Sequence, residues 1–280
     1  MVLAYGRPAA RRPRPVVTPR VWPVFVAYLV AVLTIVLASL AALGALRAAN
    51  PDVSDTELLG GPMGLIAGGL ASATALVLTV VLVSQPFDAA ALRLVPGRET
   101  GLDLAAAVLG MLALGQTLDS ATMLLGLGGR GSMPAIRQAL TGIEGGELFA
   151  AVVVLGLMAG AAEEVFFRGY MQTRLRAAWR AGPAILATSV AFALLHMEWI
   201  HAAMAFVLGL YLGALSERTG SALPAMVCHV ANNSVFTVVT AIAGTVDGRR
   251  VNAMLLGASV VVFVSCVAFL RRRLPPAATA

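Results

Sequence analysis

Two adjacent carboxylates interrupt an apolar run: Glu163 and Glu164 stand in Ala161-Ala162-Glu163-Glu164-Val165-Phe166-Phe167-Arg168-Gly169-Tyr170, after the stretch Leu148 to Ala159. One ionised side chain at the centre of a membrane helix costs about 2.5–3.5 kcal/mol on insertion scales, so a pair requires compensation. On a helix, Glu164 and Arg168 are one turn apart with the acid first, the favourable order for an ion pair. Glu163 is turned about 100° away and has no such partner. A helix leaving the bilayer would explain one solvated acid near its end; it fits Glu-Glu followed by Phe166 and Phe167 poorly. The pattern predicts one carboxylate neutralised by Arg168 and the other left to act on a substrate.

The remaining polar groups in apolar runs are few. His196 follows Phe192 by one helical turn, and His229 precedes Asn233 by one turn, beside Asn232. Each pair therefore shares a helix face. A lone membrane His or Asn is ordinarily an interhelical hydrogen bond. Glu163, His196, His229 and Asn233 fall on three separate apolar segments, however, and such residues turn towards the bundle interior, where they can meet. The third histidine, His201, sits beside Glu198 and Trp199 in a connection and reads as interfacial and solvated.

The ordered set E-E-x-x-x-R (Glu163, Glu164, Arg168), F-x-x-x-H (Phe192, His196) and H-x-x-x-N (His229, Asn233) resembles the three motifs of the CPBP intramembrane proteases. That family includes the type II CAAX prenyl endopeptidases and the bacteriocin-processing or immunity proteins labelled Abi. The resemblance covers about Leu148 to Ile242 and implies hydrolysis of a peptide bond within the membrane. In that scheme Glu163 is the base for a water that His196 shares or orients, and Arg168 holds Glu164 ionised. His229 and Asn233 are suited to donate to the developing oxyanion, while Phe192 packs beside His196 and fixes its rotamer. No serine or cysteine is placed as a nucleophile beside these groups. Glu163, His196 and His229 could instead ligate zinc, but there is no H-E-x-x-H, and no tightly bound cofactor is expected. The substrate implied is a membrane-embedded or lipid-anchored peptide, prenylated in the CAAX case. Two other functions stay open: a non-catalytic immunity or scaffold protein on the same fold, and a proton-coupled transporter. The transporter predicts inverted halves with broken segments, which the sequence lacks.

The elements that must position these residues are membrane helices. The chain of 280 residues is 59% hydrophobic and only 12% charged, with a mean hydropathy of +0.87. That composition excludes an ordinary soluble domain and predicts an all-α, polytopic transmembrane bundle. Eight apolar segments are expected: about Val24–Leu46, Gly64–Val83, Leu104–Leu127, Leu148–Phe167, Pro183–Met197, Ala202–Leu215, Leu223–Ile242 and Ala253–Leu270. They divide the chain into a flexible basic tail (1–20), three N-terminal spans with their loops (21–147), a catalytic helical core (148–242), and a last span with a basic tail (243–280). The first span is too long for a signal-peptide core and is expected to be retained.

Every basic residue is arginine, and the net charge is +6. In a soluble protein this would suggest nucleic acid; here the arginines cluster at the ends of apolar runs and read as a topology signal, with no nucleic-acid partner. Alternation of eight spans puts the arginines of 7–20, 93–98, 168–180, 218 and 271–273 on one side. Only Arg47, Arg130, Arg137, Arg249 and Arg250 fall on the other, so both termini are expected in the cytoplasm, in a bacterial plasma membrane. Cys228 and Cys266 read as small core residues. The connections 48–61 and 128–147 read as polar loops.

Depth makes one further demand. If the fourth helix stopped at Phe167, Glu163 would lie about 6 Å from the inner face, while His196 lies about 20 Å deep. The fourth helix is therefore expected to run on to about Trp179. Arg168 would then lie inside the membrane, satisfied by Glu164 and by a cavity open to water on the cytoplasmic side.

Overall fold

The computed structural model describes residues 20–275, so the tail expected at 1–20 lies, except for Arg20, outside the described residues. Helices account for every regular element among the described residues. They are α1 (Trp22–Ala49), α2 (Asp55–Gly60), α3 (Pro62–Val83), α4 (Gly101–Leu124), α5 (Met133–Leu140) and α6 (Gly145–Arg176). Then follow α7 (Ala181–Leu194), α8 (Trp199–Thr219), α9 (Leu223–Ala243) and α10 (Arg249–Arg273). Seven are long and apolar enough to cross a membrane, and α7 is a shorter apolar helix. Each of the eight expected segments thus coincides with a helix, and the protein is an integral, multi-pass membrane protein.

Local sequence explains where these helices start and stop. Proline opens α3 and occupies the first turns of α1, α5 and α9, where its missing N–H leaves no bond unmade. Thr100 and Asp103 form a reciprocal capping box at the start of α4. Glu198 caps α8 by accepting from the Ile200 and His201 amides at 2.9 and 3.0 Å, which hold its carboxyl below the usual range. Gly220, with φ +76°, ends α8 in the left-handed conformation. The leucines at 29, 33, 37 and 40 leave one face of α1 exposed, which in a bilayer is the lipid-facing side.

The long helix α6 does not stop at Arg168. It runs unbroken for 32 residues, about 48 Å at 1.5 Å per residue, with π-helical stretches at Val152–Ala159 and Val165–Gln172 on either side of the glutamates. Gln172 and Leu175 are fully buried. Arg168 is also at 0% exposure, so it sits within the bundle and adds nothing to the charge of a connection. One core gathers Phe166, Phe167, Met171, Phe192 and Leu76 between α1, α3, α6 and α7; a second gathers Met111, Leu212, Cys228 and Leu270 between α4, α8, α9 and α10.

Hydrogen bonds define the two ends of the bundle. At one, Arg98 donates to the Arg218 carbonyl at 2.5 Å, and Arg218 donates to the Leu274 carbonyl at 2.5 Å. Arg273 meets Asp103 there at 3.1 Å, and the Phe25 ring lies 6.3 Å from Trp179. The start of α1 and the end of α10 are therefore at the same end. Glu217 ties this end together by accepting from Arg93, Arg176 and Gln172 at 2.7, 2.8 and 3.1 Å. At the opposite end, Arg47 pairs with Asp55, and the Gly142 amide donates to the Ala241 carbonyl at 3.0 Å. The connection expected as a polar loop at 128–147 folds back there as α5, which buries Met133 and Leu140 and pairs Arg137 with Asp119 of α4.

Candidate active site

The site is built on α6, the α7–α8 turn and α9. Leu155, Ala159 and Glu163 follow one another on a single face of α6 and line a cavity of about 540 Å³. Phe192 and His196 reach it from the end of α7, and His229, Asn232 and Asn233 from α9. All four groups expected to meet, Glu163, His196, His229 and Asn233, line this one space.

Glu164 points away from it. Its carboxylate is fully buried and accepts from Arg168 Nη1 at 2.7 Å, the pairing expected from the spacing. The guanidinium also donates through Nη2 to the Gly209 carbonyl at 3.1 Å and lies 4.8 Å from the centre of the Phe192 ring. Glycine at 209 permits this approach: a Cβ there would come within 3.2 Å of Phe192 and Ser189 and 3.3 Å of Arg168. Gln172 uses the next turn of α8 in the same way and donates to the Gly213 carbonyl at 3.0 Å. Protein groups thus take both terminal nitrogens of Arg168, its Nε has no partner, and at 0% exposure the guanidinium borders no water-filled space of the kind expected on its side.

His229 lies between the two glutamates. Its Nδ1 is 2.8 Å from Glu164 Oε1 and its Nε2 is 3.5 Å from Glu163 Oε2. An ionised carboxylate only accepts, so Nδ1 carries the proton and Nε2 is the atom presented to Glu163. His196 is fixed in the same sense: its Nδ1 is 3.0 Å from the Phe192 carbonyl, which again only accepts, and a neutral ring keeps Nε2 as an acceptor. Phe192 is the hub of this packing, edge-on to His196 at 5.0 Å and to His229 at 5.6 Å. Asn233 donates to the Leu155 carbonyl at 3.4 Å.

Three features escaped the sequence reading. His201, expected to be solvated, lines the cavity with its ring 4.3 Å from that of His196, because the first turn of α8 folds back over the end of α7. Asp119 and Arg137 form an ion pair at the cavity wall, with Arg137 5.7 Å from the centre of the Phe236 ring. Gln116, one turn before Ser120, also lines it. An acid in the middle of an apolar run could have flagged Asp119; nothing in the sequence marks Arg137 as its partner.

Among the described residues, no three His, Cys, Asp or Glu side chains gather in a way that could hold a metal ion. His229 faces carboxylates through both ring nitrogens and the Nδ1 of His196 faces a backbone carbonyl.

The site is thus a set of carboxylate, imidazole and amide groups around a cavity inside a multi-pass helix bundle. Residues 145–235 match the family described as type II CAAX prenyl endopeptidase Rce1-like, over the stretch that carries all three motifs. The resemblance drawn from those motifs is upheld there. No curated protein matches the chain.

Proposed function

We propose that the protein is an intramembrane endopeptidase that hydrolyses a peptide bond of a membrane-embedded or lipid-anchored peptide with a water activated by Glu163. The observation that carries this reading is the partition of the two carboxylates. Glu164 is neutralised by Arg168 and His229, whereas Glu163 faces the cavity with only His229 Nε2 beside it. Two neighbouring acids in different surroundings take different tasks.

In the proposed reaction, a water donates one hydrogen bond to His196 Nε2 and another to Glu163. Glu163 removes the second proton as the water oxygen adds to the scissile carbonyl carbon, and the carbonyl electrons move onto its oxygen. Asn233 Nδ2 is the donor suited to that oxyanion, and His229 is the second when it carries a proton on Nε2. The proton held by Glu163 then passes to the leaving nitrogen as the C–N bond breaks, giving an amine and a carboxylic acid, whose remaining proton passes to His196 Nε2 to leave the carboxylate. Phe192, Glu164 and Arg168 act as positioning residues that set the two imidazoles. Activity in a bacterial plasma membrane belongs to the same reading. It is tested by incubating the reconstituted protein, and Glu163→Gln beside it, with a library of membrane peptides. Cleavage by the wild type and not by the variant is expected; equal cleavage by both overturns the mechanism.

A further inference from the structure

The cavity belongs to one end of the bundle. It receives Leu155, Ala159 and Glu163 from the first part of α6, Thr240 from the last turn of α9, and Gly244 and Val246 from the connection beyond it. Met133 and Ile136 of α5 complete its far wall. Every one of these lies on the side where α3, α6 and α8 begin and α4, α7 and α9 end. Glu163 is the floor.

Below that floor the bundle is closed. Glu164, Phe166, Phe167, Arg168 and Gln172 are all at 0% exposure, so this stretch of α6, roughly two turns, is packed solid from the glutamates towards Glu217. None of them lines the cavity, whose wall on α6 stops at Glu163.

Charge gives the two ends different addresses. The closed end carries Arg93 and Arg98, the arginines at 174, 176, 180 and 218, and the triplet 271–273. The cavity end carries Arg47, Arg130, Arg137, Arg249 and Arg250, of which Arg47 and Arg137 are paired with Asp55 and Asp119. Arginine-rich short connections stay in the cytoplasm.

We infer that the cavity is loaded from the non-cytoplasmic face, and that the substrate is a peptide segment already translocated or anchored in the outer leaflet. This rests on the proteolytic reading for the word substrate, whereas the sidedness stands without it. A lipid-modified C-terminus confined to the cytoplasmic leaflet meets only the closed end. The cavity volume of about 540 Å³ suits a few residues of an extended chain, within the usual range of roughly 300–1,000 Å³ for ligand sites.

Thiol accessibility tests this on the full-length protein, with Cys228 and Cys266, both buried, replaced by alanine. Ser72→Cys places a probe on the cavity wall, Asp247→Cys one in the connection after α9, and Arg272→Cys one at the closed end. Right-side-out and inside-out vesicles are treated with a small, charged, membrane-impermeant methanethiosulfonate. The inference expects at least tenfold faster labelling of Ser72→Cys and Asp247→Cys in right-side-out vesicles, and the reverse for Arg272→Cys. Faster labelling of Ser72→Cys from the cytoplasmic side overturns it, as does labelling of Asp247→Cys from that side should the Ser72 variant fail to fold. The same vesicles containing wild-type protein are then given an impermeant peptide that the reconstituted enzyme cleaves. Cleavage confined to right-side-out vesicles supports the inference, and cleavage confined to inside-out vesicles refutes it. If the labelling pattern holds while no peptide is ever cleaved, sidedness stands and the protease reading falls.

Discussion

Replacing Arg168 with methionine should be among the most damaging single changes in this protein. It removes the 2.7 Å ion pair to Glu164, the 3.1 Å hydrogen bond to the Gly209 carbonyl and the contact with the Phe192 ring at 4.8 Å. Methionine fills much of the same volume, so the cost is electrostatic: Glu164 stays at 0% exposure with His229 Nδ1 as its remaining donor. Stripping one partner from a buried pair costs about 3–5 kcal/mol, because the other charge is left uncompensated. Removing both charges, as in Glu164→Gln with Arg168→Met, takes away that penalty and should recover about 2 kcal/mol or more of the loss, a coupling expected only of groups in direct contact. Equilibrium unfolding in detergent micelles titrated with sodium dodecyl sulfate measures all three proteins against wild type. Stability effects that simply add in the double variant would refute the reasoning, since Arg168 and Glu164 would then act independently.

The other expectations concern catalysis and packing. Glu163→Gln should lower turnover by about 10²–10⁴-fold while leaving the unfolding midpoint unchanged, because it keeps the shape and removes the base; assay of a cleaved peptide beside a melting curve checks both. Asn233→Ala should lose one oxyanion donor and keep measurable activity, about 10²–10³-fold below wild type, with kcat falling more than KM rises. Gly209→Ala should destabilise by about 1–3 kcal/mol, because a methyl group 3.2 Å from Phe192 and Ser189 must displace one of them; unfolding in micelles reads the change directly. Prolonged treatment with a chelator should leave peptide cleavage at its initial rate, and loss of activity restored by added zinc would contradict the metal-free scheme.

Membrane segments were legible in the sequence because apolar length alone specifies them, and the Glu164–Arg168 pair because it lies within one helical turn. The continuation of α6 past Arg168 could be reached by counting depth, since Glu163 and His196 cannot share a space otherwise. Contacts between distant segments were not legible. His229 is recognisable as a buried polar residue, yet no periodicity indicates that its two nitrogens face Glu164 and Glu163. His201 looked solvated because Trp199 and Glu198 beside it suit an interface; only the folding-back of the α7–α8 turn brings its ring to His196. Arg137 looked like an ordinary loop charge, and its burial depends on Asp119, which stands well before it in the chain. The cavity was expected on the cytoplasmic side because Arg168 needed a polar surround. Two backbone carbonyls, reachable because α8 has glycine at 209 and 213, accept from Arg168 and Gln172 instead.

The carboxylate of Glu217 gives this architecture a mechanical asymmetry. It joins the connection before α4, the last turn of α6 and the last turn of α8 through three hydrogen-bonded partners at one point. Helices pinned at one end can still splay at the other, and a small tilt about the pin becomes a larger displacement with distance along a rod of about 48 Å. The bundle is therefore built like tongs: the grip beneath the glutamates stays shut while α5, the start of α6 and the end of α9 can part. Room for a peptide longer than the resting cavity can come from that leverage without disturbing the packing that holds Glu164, Arg168 and His229 in register.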